Sequence, residues 1–264
     1  MSASGNILVE RDGHVATITI DNPGKRNAMG RAMWIAMGDA VLELSAQAAA
    51  TDLRCIVLRG SGTEAFGSGA DIDEFASIRA SKEQGIAFGK HGHRAMHAVR
   101  DCPVPTVAAI RGVCVGGGLE LAAGCDFRIT SDDGRFGVPI ARLGAVLAYP
   151  ELEGLVRLAG PQVALELLLE GRLFSAQEAY DKGIVNRVIA VADYEAELAK
   201  TIARIVAGAP LSARWHKQFV ARLRQGTPLT EAEEHEGYAC YDTEDFAEGY
   251  QSFLAKTPPQ FKGR

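Results

Sequence analysis

The sequence lacks long apolar runs, paired cysteine motifs and targeting segments. Among its 264 residues, no stretch reaches the ~18 consecutive apolar residues of a membrane-spanning helix. Its five cysteines, an odd number without a Cys-x-x-Cys pair, are typical of unpaired thiols in a reducing compartment. The first residues show neither the apolar segment of a secretory signal nor an Arg- and Ser-rich transit segment. We therefore expect a cytoplasmic protein that does not associate with membranes.

The chain also lacks an excess of basic residues. Its 28 Lys and Arg residues are outnumbered by 33 Asp and Glu residues, which gives a formal net charge of −5. Nucleic acids and anionic membranes attract surfaces with a positive excess, so we expect no nucleic-acid partner. A hydrophobic content of 47% is ordinary for a globular protein. The length suits one large domain, or a domain with an appendage.

Strand-like and helix-like segments alternate along the first three quarters of the chain, which predicts an α/β core. Asp12-Gly13 between two apolar runs predicts a hairpin. Strands are predicted at 54–59, 104–110, 126–130 and 185–189, and helices at 29–49 and over a stretch that ends at Val99. After Tyr194 the pattern is helical to Lys256. We predict a core over residues 1–194 and a helical region over residues 195–264.

Two glycine-rich turns follow predicted strands. Gly116-Gly117-Gly118 precedes a helix-like segment, where glycine permits close approach of a ligand and free N–H groups favour negative charge. Glu120 would stand one helical turn away, where it could act as an acid or base. The second turn, within residues 60–72, matches neither a Walker loop nor the dinucleotide-binding glycine pattern. Two such turns supply the pair of backbone donors that an oxyanion hole requires.

The two turns resemble the signatures of a known family. Ser68-Gly69-Ala70-Asp71-Ile72 and Gly116-Gly117-Gly118-Leu119-Glu120-Leu121 are similar to the two motifs of the crotonase superfamily, the enoyl-CoA hydratase/isomerase family. Further similar segments, in family order over residues 7–260, lie at 22–29, 125–129, 136–139 and 183–188. The resemblance implies a spiral core of stacked ββα units and a helical C-terminal trimerisation region. It also implies a homotrimer or a homohexamer.

The resemblance assigns roles to individual residues. Ala70 and Gly117 would donate their N–H groups to the thioester carbonyl of an acyl-CoA, and Glu120 would be one of two catalytic glutamates, the one over the water. No cofactor or metal is implied, because the coenzyme A thioester is itself the substrate. The residues implied in binding the substrate or its coenzyme A are Arg26, Asn27, Ala28, Ser68, Ala70, Asp71, Ile72, Gly117, Ile140, Phe253 and Lys256.

The chain departs from the family pattern at one catalytic position. After Phe136-Gly137-Val138-Pro139 the family places its second glutamate, and this chain has Ile140. Isoleucine neither donates nor accepts a proton, and loss of one acid–base group costs roughly a hundredfold to ten-thousandfold in rate. Groups that could replace the missing carboxylate lie in segments that flank the acyl pocket of relatives: Glu74, His91, His93, His97, Arg142, Tyr149, Glu151 and Glu153.

These observations predict an acyl-CoA enzyme of the enoyl-CoA hydratase/isomerase family, a lyase or isomerase that stabilises a thioester enolate with Glu120 as its remaining acid–base group. Because of Ile140, two alternatives stay open. One is a different crotonase-type activity, namely acyl-CoA hydrolysis, decarboxylation or isomerisation. The other is a protein that binds CoA esters with reduced catalysis. Relatives that decarboxylate their substrate carry a histidine where this chain has Ala70, and this difference weakens the decarboxylase alternative.

Overall fold

The computed structural model describes residues 5–264, which form an α/β core followed by helices. Within these residues there are ten strands: β1 (Asn6–Asp12), β2 (Val15–Asp21), β3 (Cys55–Gly60), β4 (Ala65–Gly67), β5 (Thr106–Ile110), β6 (Val113–Val115), β7 (Phe127–Ser131), β8 (Arg135–Gly137), β9 (Phe174–Ser175) and β10 (Arg187–Ile189). The predicted hairpin is present, since β1 and β2 pair in antiparallel fashion around Gly13, whose φ is 54°.

The strands divide between two sheets. The larger sheet has the order β1-β2-β3-β5-β7-β10 and is parallel except for the β1–β2 hairpin. The smaller sheet has the order β4-β6-β8-β9, with only β8 and β9 antiparallel. Three consecutive pairs, β3–β4, β5–β6 and β7–β8, each place their first strand in the larger sheet and their second in the smaller one. This repeat gives the spiral of ββα units.

The helices follow the strand pairs and then continue alone. Within residues 5–264 they are α1 (Arg31–Gln47), α2 (Phe75–Ile78), α3 (Lys82–Arg100), α4 (Gly117–Ala123), α5 (Tyr149–Leu169), α6 (Ala176–Asp181), α7 (Tyr194–Val206), α8 (Pro210–Leu223), α9 (Glu231–His235) and α10 (Glu244–Ala255). Helix α5 is interrupted at Gly160, where φ is 81°, just before Pro161. None of these helices is both long and apolar enough to cross a membrane.

The central strands are covered on both faces, which explains their almost continuous apolar sequence. In β3, Ile56 and Leu58 belong to the main core with helices α1, α3 and α4. The alternate residues Cys55 and Val57 face the opposite side, where a second core contains Tyr194 of α7. Side chains of successive strand residues point to opposite faces, so one short strand contributes to two cores.

The C-terminal helices are attached to the core of the same chain by polar contacts. Lys217 of α8 donates from Nζ to Val104 O at 2.8 Å and to Asp126 Oδ2 at 2.6 Å. Arg54 donates to Val206 O at 3.1 Å and to Phe261 O at 2.7 Å. A helical region does follow the last strand, as the sequence predicted. The boundary at residue 194 and the role of this region in assembly stay predictions.

Candidate functional site

The two glycine-rich turns lie side by side because the strands before them, β4 and β6, are parallel neighbours. A Cβ built on Gly69 would lie 3.2 Å from Gly117 N, so the turns touch through their backbones. Gly69 has a φ of 98°, which only glycine adopts without strain. At Gly117 a Cβ would lie 2.8 Å from Cζ2 of Trp34, so a larger residue would displace that ring. Both positions therefore need glycine for reasons of conformation or space.

Ala70 and Gly117 present unpaired backbone donors. Around Ala70 the backbone is fixed by two hydrogen bonds, Met29 N to Gly69 O at 2.8 Å and Asp71 N to Met29 O at 3.0 Å. Gly117 is the first residue of α4, where N–H groups have no partner within the helix. Among the described residues, neither the Ala70 N–H nor the Gly117 N–H donates to an oxygen. This arrangement could hold a developing oxyanion.

The loop at residues 22–30 supports the first turn. Asn27 is only 1% exposed, and its Nδ2 donates to Ala65 O at 2.7 Å and to Ser61 O at 3.0 Å. Ser68 donates to Lys25 O at 3.0 Å. The side chain of Asn27 is thus occupied by the scaffold, and any contact that it makes with coenzyme A would have to come from its backbone.

An ion pair joins the same loop to the first turn. Lys25 Nζ lies 2.6 Å from Asp71 Oδ2 and 2.9 Å from Asp73 Oδ2, and these carboxylates raise the pKa of Lys25 to about 12. Ile72 beside them is exposed. The structure therefore brings together seven of the predicted binding residues, at 26–28, 68 and 70–72.

Glu120 is the buried carboxyl group of the site. It lies on α4, one turn after Gly117, and is only 7% exposed. Burial raises its pKa to about 8, the nearby charge of Glu151 raises it further, and Arg79 opposes the shift. At neutral pH this side chain is therefore largely protonated, because the charged form is poorly solvated. It can donate a proton without first acquiring one from solvent.

Arg79, which follows α2, is the cation whose charge opposes the rise in the pKa of Glu120. Its guanidinium carbon lies 4.6 Å from the ring centre of Phe75 and 4.4 Å from that of Phe88. The Nε atom is buried and has no hydrogen-bond partner among residues 5–264. Burial lowers the pKa of Arg79, and Glu151 and Glu120 counteract that shift. The two aromatic rings hold this cation near both carboxyl groups.

Glu151 lies in the first turn of α5, where its charge raises the pKa of Glu120. Its Oε2 accepts a hydrogen bond from Ala148 N at 2.6 Å, and its Oε1 lies 3.3 Å from Nε2 of His93. Only 15% of the side chain is exposed. These contacts give Glu151 a fixed orientation.

A cavity of about 540 Å³ has both Glu120 and Glu151 in its wall. It extends between α3, α4 and α5 towards α8, where Lys217 and Val220 line it. His97 also lines it, and burial lowers the pKa of this histidine, whose Nε2 has no partner within the described residues. The two glycine-rich turns do not line this cavity, so Glu120 lies between the turns and the cavity.

Ile140 does not line that cavity. It lies in a short 3-10 helix, Pro139–Leu143, and is packed, half-buried, against the main core. Two of the groups considered as replacements have other partners. Glu74 Oε2 accepts from Arg31 N at 2.8 Å, and Glu153, which also lines the cavity, pairs with Arg157 at 2.6 Å. Arg142 and Tyr149 are exposed, and His91 is half-buried outside the cavity.

Two predicted binding residues lie apart from the turns in this chain. Phe253 is 81% exposed on α10 and lines a separate groove with Trp215 and Phe261. Lys256 ends the same helix in a left-handed conformation, with φ of 57°. Within residues 5–264 no hydrogen bond or ion pair connects either residue to the turns. Their contribution to a neighbouring subunit's site stays a prediction.

Two residues of the site were not expected from the sequence. Trp34, on α1, is 2% exposed, packs beside Gly117 and has no partner for its Nε1 among the residues described. Arg79 is the second. Neither belongs to a motif, and neither spacing nor periodicity distinguishes them from ordinary core and surface residues.

The chain is similar to known proteins over almost its whole length. Residues 10–264 match the family model described as enoyl-CoA hydratase/isomerase. A crotonyl-CoA hydratase of Syntrophomonas wolfei subsp. wolfei is 31% identical over 97% of each chain, and a carnitinyl-CoA dehydratase of Salmonella typhi is 31% identical over 99% of this chain and all of its own. The crystal structure of an enoyl-CoA hydratase/carnithine racemase from Magnetospirillum magneticum is 48% identical. It superimposes with a TM-score of 0.95 over 98% of this chain and 96% of that one.

Proposed function

Because the chain belongs to the enoyl-CoA hydratase/isomerase family, whose enzymes act on acyl-CoA thioesters, we propose that it hydrates an enoyl-CoA with Glu120 as acid–base group. The crotonase-like fold is confirmed by the structural relatives. The observation that carries the proposal is the position of the buried Glu120 one helical turn after Gly117, whose N–H donates to no oxygen within the described residues.

The oxyanion pair would stabilise the intermediate of this reaction. When the oxygen of water bonds to C3 of the enoyl group, the π electrons of the C2–C3 bond move towards the thioester oxygen. The N–H groups of Ala70 and Gly117 are placed to hold that oxygen as it becomes negative. A single donor of this kind stabilises a transition state by about 3–4 kcal/mol. Both donors are backbone groups, so their side chains need only be small.

Glu120 would complete the addition by protonating C2. The resemblance implied that Glu120 activates the water. Burial instead favours its protonated form, so we assign it as the proton donor in hydration. The proton of the water then requires another acceptor, since Ile140 cannot take it. The acyl chain would extend from the turns past Glu120 into the cavity.

The coenzyme A portion would lie along the loops at residues 22–30 and 68–74. Backbone groups and the exposed Arg26 and Ile72 are available there, while Lys25 and Asp71 hold the two loops together. Exposed apolar residues on the C-terminal helices, including Tyr250 and Phe253, support assembly into a trimer or a hexamer. Contiguous exposed apolar patches on a protein surface mark interaction sites.

The test is turnover of crotonyl-CoA and 3-hydroxybutyryl-CoA, followed by the absorbance of the enoyl thioester. We expect Glu120→Gln to reduce kcat by about 10²- to 10⁴-fold. Its affinity for the CoA ester, measured by calorimetry, should remain near that of the unmodified protein. Glu170→Gln, on an exposed ion pair with Arg172 and outside the cavity wall, is the matched control and should leave turnover unchanged.

Other results would assign a different activity. Turnover of a malonyl or saturated thioester, without hydration, would identify a decarboxylase or hydrolase. Tight binding without turnover of any ester would identify a CoA-ester-binding protein. Equal turnover by Glu120→Gln and the unmodified protein would contradict the role of Glu120.

A further inference from the structure

Residues 120 and 151 form a pair of carboxyl groups that share one cavity wall but have different surroundings. Glu120 makes no hydrogen bond through its side chain within the described residues and is deeply buried. Glu151 accepts a hydrogen bond from Ala148 N and lies beside His93. Two carboxyl groups in unlike environments divide into a proton donor and a proton acceptor. Such a division suits a reaction that both removes and delivers a proton.

We propose that Glu151 is the second acid–base group of this enzyme and takes the place that Ile140 leaves without a carboxylate. The inference rests on the proposed function. In hydration, the Glu151 carboxylate takes the proton from water while the water oxygen bonds to C3. Glu120 gives its proton to C2: the C1–C2 π electrons of the enolate form the C2–H bond, and an electron pair on the thioester oxygen re-forms the carbonyl. The pair holds one proton before and after the addition, since Glu120 loses one to C2 and Glu151 gains one from the water. Proton exchange with solvent then returns Glu120 to its protonated form and Glu151 to its carboxylate before the next turnover.

The contacts of Glu151 explain how helix α5 delivers it. The helix begins at Tyr149, and Ala148 N fixes one carboxylate oxygen at 2.6 Å. His93, from the neighbouring helix α3, lies 3.3 Å from the other oxygen. A glutamate at this position of a helix also caps the first turn. The test therefore has to separate a catalytic role from a capping role.

Arg79 favours the state with a single shared proton. Its charge acts on both carboxyl groups without an ion pair to either one within residues 5–264. One negative charge beside it is balanced, whereas a second would be buried without compensation. The other titratable groups around the pair are His93, His97 and Arg100 on α3, and Glu153 on α5. Among these groups only Glu153 has a carboxylate, and that carboxylate is engaged by Arg100 and Arg157.

The experiment compares Glu120→Gln, Glu151→Gln and the double variant in the full chain, with crotonyl-CoA as the probe. Glutamine can still accept the hydrogen bond from Ala148 N, so the helix cap is retained. We expect Glu151→Gln to lower kcat by about 10²- to 10⁴-fold with little change in KM. The double variant should lose little more than either single variant, because the two groups act as a unit. Glu170→Gln, at the C-terminal end of the same helix and outside the cavity wall, is the control.

The pH profile separates catalysis from structure. Because activity requires one proton on the pair, kcat/KM of the unmodified enzyme should be bell-shaped, with an alkaline limb near pH 8. Glu151→Gln should lose the acid limb and keep the alkaline one. His93→Gln should retain both limbs, which excludes His93 as their source. A purely structural role would lower activity at all pH values equally.

The proposal is overturned if Glu151→Gln retains activity within about threefold while Glu120→Gln is inactive, a result that leaves the proposed function intact. It is also overturned if the acid limb persists in Glu151→Gln. Absence of turnover by the unmodified protein on both crotonyl-CoA and 3-hydroxybutyryl-CoA removes the proposed function and this inference together.

Discussion

The burial of Glu120 predicts that its replacement by glutamine stabilises the fold in a pH-dependent way. An unfolded glutamate ionises near pH 4.5, whereas the pKa of Glu120 in the folded protein is raised to about 8, first by burial and then by the charge of Glu151. Below pH 4.5 the carboxyl group is protonated in both states and contributes nothing. Between these values the folded state holds a proton that the unfolded state has lost, so stability falls as pH rises.

The size of the effect follows from the two pKa values. Each pKa unit corresponds to about 1.4 kcal/mol, so the full penalty above pH 8 has an upper value of about 5 kcal/mol. Glutamine has nearly the same shape and never ionises. Relative to the unmodified protein, Glu120→Gln should therefore gain up to about 1.4 kcal/mol in unfolding free energy per pH unit between about pH 4.5 and pH 8.

Urea denaturation at fixed protein concentration, at about pH 5, 6.5 and 8.5, measures this difference. Urea is uncharged and leaves the electrostatics unscreened. Glu153→Gln, which lies on the surface of α5 in an ion pair, should show no such rise. A difference between Glu120→Gln and the unmodified protein that is the same at all three pH values would refute the reasoning, because it would mean that Glu120 ionises alike in both states.

Further predictions concern the oxyanion turn, the C-terminal helices and assembly. Gly117→Ala should lower kcat/KM by at least about a hundredfold, because its Cβ would meet Trp34 at 2.8 Å; Trp34→Phe in the same chain should restore part of the loss, and no recovery would mean that the clash is not the cause. Lys217→Met should lower the unfolding free energy in urea by about 1–3 kcal/mol, since it leaves Asp126 without its cation; an unchanged midpoint would show that this contact does not hold α8 to the core. Light scattering at micromolar concentration should give a trimer or hexamer, whereas a monomer of 28.1 kDa would contradict the interpretation of the exposed Phe253.

The centre of the larger sheet could be predicted from the sequence because β2, β3 and β5 are largely buried runs of seven, six and five residues. The segments predicted at 54–59 and 104–110 appear as Cys55–Gly60 and Thr106–Ile110. The smaller sheet could not be found by periodicity, because its strands β4, β6 and β8 have three residues each. Three residues give too little alternation to distinguish a strand from a turn. No strand is predicted at Val113–Val115, which directly precedes the Gly116-Gly117-Gly118 turn.

The site residues also divide into those that a sequence motif identifies and those that only the packing of the chain brings together. Ala70, Gly117 and Glu120 could be named from the sequence because each belongs to a motif, and their functional roles stay predictions. The position of Glu151 relative to Glu120 depends on how α5 packs against α4 and α3, contacts between segments that are distant in sequence. Arg79 becomes notable only when its burial between Phe75 and Phe88 is known. Packing of this kind leaves no local pattern in a sequence.

The spacing of the two proposed oxyanion donors is set by the strands that precede them. Ala70 and Gly117 follow β4 and β6, which are hydrogen-bonded neighbours, and adjacent strands lie about 4.8 Å apart in any sheet. The spacing of these two strands therefore sets the distance between the two donors. Loops that would contact the acyl chain or the nucleotide can change in sequence and length without altering the distance between the two donors. Under the proposed function, such a fold can exchange one thioester substrate for another while the distance between the two proposed donors stays the same.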